Sequence, residues 1–357
     1  MHLAEHVDFV IGVDTHKQSH TLGLVTATGA DVEDETFATD AFGYKKVLAW
    51  TKQRTAERQR RCWAIEGTGS FGSGLTTYLL EQGEWVIEID RPKRPARRNG
   101  AKSDVLDAYR AAREALARRH LAQPRRRGVR EAIRVLLCTR EGAVRSRSRA
   151  LCHLQALIVN APAQLRDQLR RDQLDVQVKR CARLRVLAEH SVEHRSTVRA
   201  PRATARRIQM LSDEADDLET ELALLVAEHA PELLAEPGVG TISAAQVINA
   251  WSHPGRIRSE AAFAMLSGSA PVPASSGQVV RHRLNRSGDR QLNRALHTIV
   301  LSRMRFHPET RDYVTRRTSE GLTPREIKRC LKRYVARRIF RLLEAENVEP
   351  KSRHVAA

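Results

Sequence analysis

VDFVIGVD, residues Val7 to Asp14, is an apolar, β-branched run that stops on a carboxylate. A run of this length and composition reads as a buried strand. Working outward, His20 to Thr26 (HTLGLVT) alternates as a second strand, and Asp31 to Thr39 forms a third. Ala41 to Gln53 has the pattern of a helix. Cys62-Trp63-Ala64-Ile65 is a fourth strand, and it too ends on a carboxylate, Glu66. Gly67-Thr68-Gly69-Ser70 makes a turn, Phe71 to Gln82 a helix, and Trp85 to Ile89 a fifth strand.

Three leading strands followed by strand–helix alternation predict a mixed α/β sheet of the ribonuclease-H type over residues 1–125. From Val129 to Ala230 the pattern is helical. Ile208, Leu211, Ala215, Leu218, Leu222 and Leu225 follow one another at spacings of three and four, the seam of a coiled coil. This makes residues 126–230 a helical oligomerisation region, with dimerisation through the seam preferred over packing inside one subunit. Asp213, Glu214, Asp216, Asp217, Glu219 and Glu221 form its acidic outer face, positioned to pair with the Arg-rich stretch near Arg140–Arg149. Residues 231–357 form a third, mostly helical region. Its Thr323-Pro324-Arg325-Glu326 is a capping box that opens a basic, amphipathic helix ending near Leu343.

Charge narrows the function. The 357 residues carry 61 Lys+Arg against 42 Asp+Glu, a formal net charge of +19. About fifty of the cations are Arg, whose planar fork grips phosphate bidentately. About +14 of the excess falls between Arg91 and Ala150, including the Arg97-Arg98 pair. The partner implied is nucleic acid. Aromatics are only 4% of the chain, which argues against single-strand recognition by stacking alone. No apolar run reaches the ~18 residues of a membrane helix, and no secretory signal opens the chain. The five Cys are scattered without a CxxC pair, so a zinc site or disulfide framework is not expected and a cytoplasmic, nucleoid-associated setting is.

Four carboxylates suggest metal chemistry. Asp14 and Glu66 end buried-looking strands, and Asp104 and Asp107 lie three apart on one helical face. Hard oxygen donors from three elements suit Mg2+, and two such ions about 4 Å apart can clamp the attacking and leaving oxygens of a phosphodiester. Ile11-Gly12-Val13-Asp14-Thr15 also resembles the first strand of actin-like sugar kinases. Thr15 and His16 stand where those proteins have Gly and Thr, and no second nucleotide-binding half is visible.

Two further motifs lie in the last third. Pro237-Gly238-Val239-Gly240 before a helical Ile242–Ala250 fits a helix-hairpin-helix, with Gly238 and Gly240 exposing amide N–H groups to a phosphate. Ser275-Ser276-Gly277 precedes a basic stretch that contains Arg281, Arg283 and Arg286. A Ser beside Gly is open enough to act as a nucleophile. No His or Asp adjoins it to activate the hydroxyl, and a plain polar loop is the simpler local reading.

Taken together, these motifs resemble one family. Asp14 in IGVDTHK, Glu66 in AIEGTGSFG, and Asp104 and Asp107 in KSDVLDA are similar to the DEDD motif of the insertion-sequence transposases of the family numbered one-ten. The PGVG turn, FAMLSG at 263–268, Ser275-Ser276-Gly277 and NRSGDR at 285–290 resemble that family's C-terminal transposase domain. The resemblance implies a RuvC-like first domain binding two Mg2+ ions, with Mn2+ as an alternative. It implies a serine nucleophile, Ser276 ahead of Ser275, that forms a covalent link to DNA. It further implies donor and target double-stranded DNA, a structured bridge RNA, and dimers assembling into a tetramer with composite active sites. Gln278 stands where many members have a second Gly. The alternatives are a metal-dependent, resolvase-like endonuclease without a covalent intermediate, and a non-enzymatic nucleic-acid-binding protein.

Overall fold

The computed structural model describes residues 2–55, 60–89, 103–125, 127–186, 191–274, 282–283, 285 and 287–345. The chain divides into two compact units, Met1–Arg126 and Arg127–Ala357.

In the first unit the order is β1 Phe9–Thr15, β2 Ser19–Thr26, β3 Asp31–Ala38, α1 Ala41–Arg54, β4 Arg61–Glu66, α2 Ser73–Glu81, β5 Val86–Ile89 and α3 Asp104–Ala117. The five strands form one sheet in the order β3-β2-β1-β4-β5. β1 to β3 pair antiparallel through short connections, whereas β4 and β5 run parallel to β1. Each strand expected from the sequence is present, and the mixed α/β sheet is as expected. The alternation of side chains divides the core in two. Ile11, Val13, Leu22, Leu24, Trp63 and Ile65 pack with Val47, Leu48, Leu75 and Leu79 of α1 and α2. Val10, Val25, Cys62, Ala64 and Ile87 pack on the other side with Tyr109, Ala112 and Ala115 of α3.

The second unit is mostly helical: α4 Val129–Val159, α5 Ala163–Leu169, α6 Leu174–Ala182, α7 Val192–His229, α8 Pro231–Ala235, α9 Thr241–Trp251, α10 Glu260–Leu266, a two-residue pair β6 Val272–Pro273 and β7 His282–Arg283, then α11 Arg290–Phe306, α12 Pro308–Ser319 and α13 Pro324–Ala345. The long helices α4 and α7 pack side by side. The seam expected to join two copies is filled within the chain. Ile208 packs with Ala150 and Leu154 of α4, and Leu211 and Ala215 pack with Ala143. The acidic face does meet the Arg-rich helix: both Nε and Nη2 of Arg140 donate to Glu219 Oε2, at 3.1 and 2.6 Å. One apolar core crosses residue 230 without a break, joining Ile133, Leu222 and Val226 to Trp251, Leu296, Ile299 and Ile339. The capping box forms as read: Thr323 N and Oγ1 both donate to Glu326 Oε2, at 2.9 and 2.6 Å. Among the described residues no helix is long and apolar enough to cross a membrane.

One ion pair braces the start of β4. Arg61 Nε and Nη2 donate to Glu84 at 2.8 and 2.5 Å, and Trp63 Nε1 adds a third hydrogen bond at 2.9 Å. The Glu84 side chain is only 7% exposed. Burial alone would raise its pKa. The hydrogen bonds from Arg61 and Trp63, with the Arg61 charge, outweigh burial and hold the carboxyl below its ordinary range. A depressed carboxylate stabilises the fold above its unfolded pKa, and that contribution is lost as pH falls through the folded one. Glu84→Gln, which leaves Arg61 buried without its counter-charge, is expected to cost about 3 kcal/mol in urea unfolding at neutral pH. The gap from wild type should narrow as pH falls below the ordinary glutamate range and on through the lowered folded pKa.

Candidate active site

The site in the first unit is built by a contact that only glycine permits. A Cβ at Gly12 would lie 1.9 Å from the Ala108 carbonyl oxygen and 2.7 Å from Ala112 N, so α3 rests directly on the backbone of β1. A Cβ at Gly23 on β2 would likewise meet Tyr109, at 2.8 Å from its ring and 3.0 Å from its backbone N. Gly12 and Asp14 share one face of β1, so the helix that covers Gly12 brings its first turn to Asp14.

Asp104 and Asp107 occupy that first turn. The helix N-terminus favours negative charge there, which offsets part of the cost of grouping carboxylates. His16, just past the end of β1, joins the group. Its Nε2 lies 3.1 Å from Asp14 Oδ2 and 3.5 Å from Asp104 Oδ1. One donor atom each from Asp14, His16 and Asp104 can be chosen so that all lie within 4.8 Å of one another, the spacing a metal ion requires. Burial pushes the Asp14 carboxyl above its ordinary range. His16 opposes the shift, while Asp104 and Asp107 add to it. Arg110 Nη1 donates to Asp107 Oδ1 at 2.8 Å and holds it in place.

Glu66 comes from the neighbouring strand. β1 and β4 are in parallel register with Val13 opposite Ile65, so Asp14 and Glu66 are the next pair, on the α3 face of the sheet. Thr15 Oγ1 donates to the Glu66 carbonyl at 3.0 Å and ties the two strand ends together. Of the four expected carboxylates, Asp14 and Asp104 are brought together through His16, whereas Glu66 on the adjacent strand end and Asp107 one turn along α3 lie outside that donor group. His16 was missed as a member from sequence. Its position two residues after Asp14 was the available signal. The donor set of Asp14, His16 and Asp104 fits a divalent cation, because grouped carboxylates and an imidazole gain from a positive charge placed among them.

The motifs of the second unit form a separate arrangement. Gly288 lies against Gly268: a Cβ on Gly288 would be 2.4 Å from Gly268 N and 2.9 Å from the Leu266 carbonyl oxygen. Asn285 Nδ2 donates to the Met265 carbonyl, Asp289 N to the Leu266 carbonyl, and Asn293 Nδ2 to the Ser267 carbonyl, at 3.1, 2.6 and 2.6 Å. FAMLSG and NRSGDR are thus one packed node. β6 and β7 rise from it, pairing Val272 with Arg283 and Pro273 with His282. Ser275 and Ser276 fall between these strands in sequence. Both lie outside the described residues, as do Arg281, Arg286, Arg97 and Arg98.

The PGVG turn divides into two parts. Gly238 adopts φ +78° and faces α11, where a Cβ would come 2.9 Å from the Ile299 carbonyl oxygen. Arg303 Nε donates to the Pro237 carbonyl at 2.7 Å, and its Nη2 pairs with Glu236 at 2.9 Å, so this half is clamped to the core. Gly240 is exposed at the start of α9, with nothing within 4 Å of the place a Cβ would take.

Two family models match the chain. A DEDD transposase model of the IS110 type covers residues 11–161, and one described as "Transposase IS116/IS110/IS902 family" covers residues 230–315. The first span holds Asp14, Glu66, Asp104 and Asp107, and the second holds the PGVG turn and the node beneath β6 and β7. No curated protein matches it as a relative.

Gly12→Ala should push α3 off the sheet and lower unfolding free energy by about 3 kcal/mol, measured in urea, as overpacking does. Asp14→Asn should behave oppositely. The fold disfavours the charged form of Asp14, so the neutral amide is expected to leave the metal-free melting temperature unchanged or raised. The same variant should lose the rise in melting temperature that Mn2+ gives the wild type.

Proposed function

The chain belongs to the IS110 family of DEDD transposases, and from that premise we propose that it cuts and rejoins DNA through a covalent serine–DNA intermediate formed with divalent-metal assistance. The observation that carries the reading is the donor group Asp14, His16 and Asp104 at the end of β1, with Glu66 on the adjacent strand end and Asp107 one helical turn away. The sheet order β3-β2-β1-β4-β5, with β2 antiparallel, is read as RuvC-like. In that reading Asp14, Glu66, Asp104 and Asp107 hold two Mg2+ ions, or Mn2+ in their place. Bound there, the cations would offset the charge that develops on the reacting phosphate.

The remaining steps belong to the chain's own residues. Ser276 Oγ, on the loop between β6 and β7, attacks phosphorus. A P–Oγ bond forms, the bond from phosphorus to the sugar oxygen breaks, and the proton lost by serine is balanced by the one the sugar hydroxyl gains. The phosphoserine ester conserves the energy of the broken bond, so a second sugar hydroxyl can reverse the step on a new strand without ATP. His16 holds Asp14 and Asp104 in register for this chemistry. Gly240 and the first amides of α9 offer N–H groups to a backbone phosphate, the role of a helix-hairpin-helix.

Sequence choice is assigned to base pairing by a bridge RNA, which suits a chain with net charge +19 and only 4% aromatics. Dimers are proposed to assemble into a tetramer in which carboxylates and serine come from different copies. Since α4 fills the α7 seam, that assembly must use other surfaces.

The test is to incubate end-labelled DNA carrying the element's ends with protein, Mg2+ and the element's RNA, and to look for label that migrates with denatured protein. Wild type and Ser275→Ala should give the adduct, whereas Ser276→Ala and Asp14→Ala should not. Free ends without an adduct would replace the covalent scheme by hydrolysis.

A further inference from the structure

The second unit contains a recess of about 220 Å3 beside the base of the β6–β7 pair. It is lined by residues 268–271, by Arg329, Lys332 and Arg333 of α13, and by Arg283 of β7. A water claims about 30 Å3 in the liquid, so this volume accommodates a phosphodiester with its sugar.

The charge in the recess is unbalanced. Arg329, Lys332 and Arg333 are three and four apart, one face of one helix, where like charges repel by a few tenths of a kcal/mol per pair. Among the described residues none of these three, nor Arg283, forms an ion pair with a carboxylate. Glu326, the one acidic residue in the lining, accepts from Thr323 in the capping box through Oε2 and feels the charge of Arg329, so it offsets only one of the four cations. Lys332 is half-buried, and burial together with the neighbouring Arg329 lowers its pKa. Its Nζ is fixed on Asn293 Oδ1 at 3.1 Å, and Asn293 in turn holds the Ser267 carbonyl in the node that anchors β6 and β7. The recess is therefore tied rigidly to the base of the hairpin.

We propose that the recess formed by Arg283, Arg329, Lys332 and Arg333 is a binding site for a backbone phosphodiester of the DNA strand. An anion there relieves the repulsion among the cations and satisfies the half-buried ammonium. Because the recess abuts the strands that carry the serine loop, a phosphate seated in it sets where along the strand that loop acts. The proposal rests on the reading of the chain as a DNA strand-exchange enzyme and adds a positioning site to it.

The test uses full-length protein in a Ser276→Ala background, so that binding is read whether or not an adduct can form. The probe is a fluorescein-labelled, non-specific DNA duplex, titrated at several salt concentrations. Each phosphate contact removed lowers the slope of log K against log salt by about one, so Arg329→Gln/Arg333→Gln, which strips two cations from the one phosphate site, should lower it by about one. Binding at moderate salt should weaken about tenfold. Arg170→Gln/Arg171→Gln, an equal loss of charge just past the end of α5, serves as the control and should change binding far less. Unchanged melting temperatures keep the comparison to binding. Equal effects from both pairs would overturn the site in favour of diffuse charge. A loss confined to an RNA transcript, with duplex DNA unaffected, would overturn its assignment to DNA. Failure of the serine–DNA adduct in the Ser276-containing protein would leave this salt dependence untouched and would count against the covalent scheme alone.

Discussion

The site depends on a helix lying against bare backbone. α3 can place Asp104 and Asp107 beside Asp14 only because Gly12 has no side chain to hold the Ala108 carbonyl away. The grouping of Asp14, His16 and Asp104 and the packing of the first unit are consequences of the same contact. Any residue larger than glycine would separate them, since the atoms it meets are backbone and cannot rotate aside. Burial then raises the pKa of Asp14, Asp104 and Asp107 add to the rise, and His16 offsets only part of it, while the helix N-terminus favours the negative charge on α3. The remainder is the driving force for a cation.

The second unit uses glycine in the same manner for a different purpose. Gly268 and Gly288 bring two motifs into contact, and asparagine side chains stitch their backbones together. The product is a rigid base for a short strand pair. That pair flanks Ser275 and Ser276 in sequence, so the proposed nucleophile lies between two strands fixed on this node. The basic recess formed with α13 sits on the same base, so cation placement and hairpin placement are coupled through Lys332 and Asn293.

Much of this was legible in the residues. The five strands of the first unit followed from apolar runs with period-two alternation, and the carboxylates that end two of them marked the site. The capping box at Thr323 was readable because its chemistry is local. Contacts between segments distant in sequence were not readable. The α7 seam has the spacing of a coiled coil, but spacing does not say which helix fills it, and α4 of the same chain does. Gly238 read as a phosphate contact, yet its approach to the Ile299 carbonyl gives it a packing role that only the fold reveals. His16 was visible beside Asp14 but had no pattern to recommend it, because its second partner, Asp104, lies far away in the chain.

The central claim is that one close contact assembles a divalent-cation centre from Asp14, Asp104 and their neighbours on α3 and β4. Crystals grown with Mn2+ and measured at its absorption edge test this most directly. An anomalous peak is expected within coordinating distance of both Asp14 and Asp104. A well-ordered site with no peak there, or Mn2+ bound only elsewhere, would contradict it.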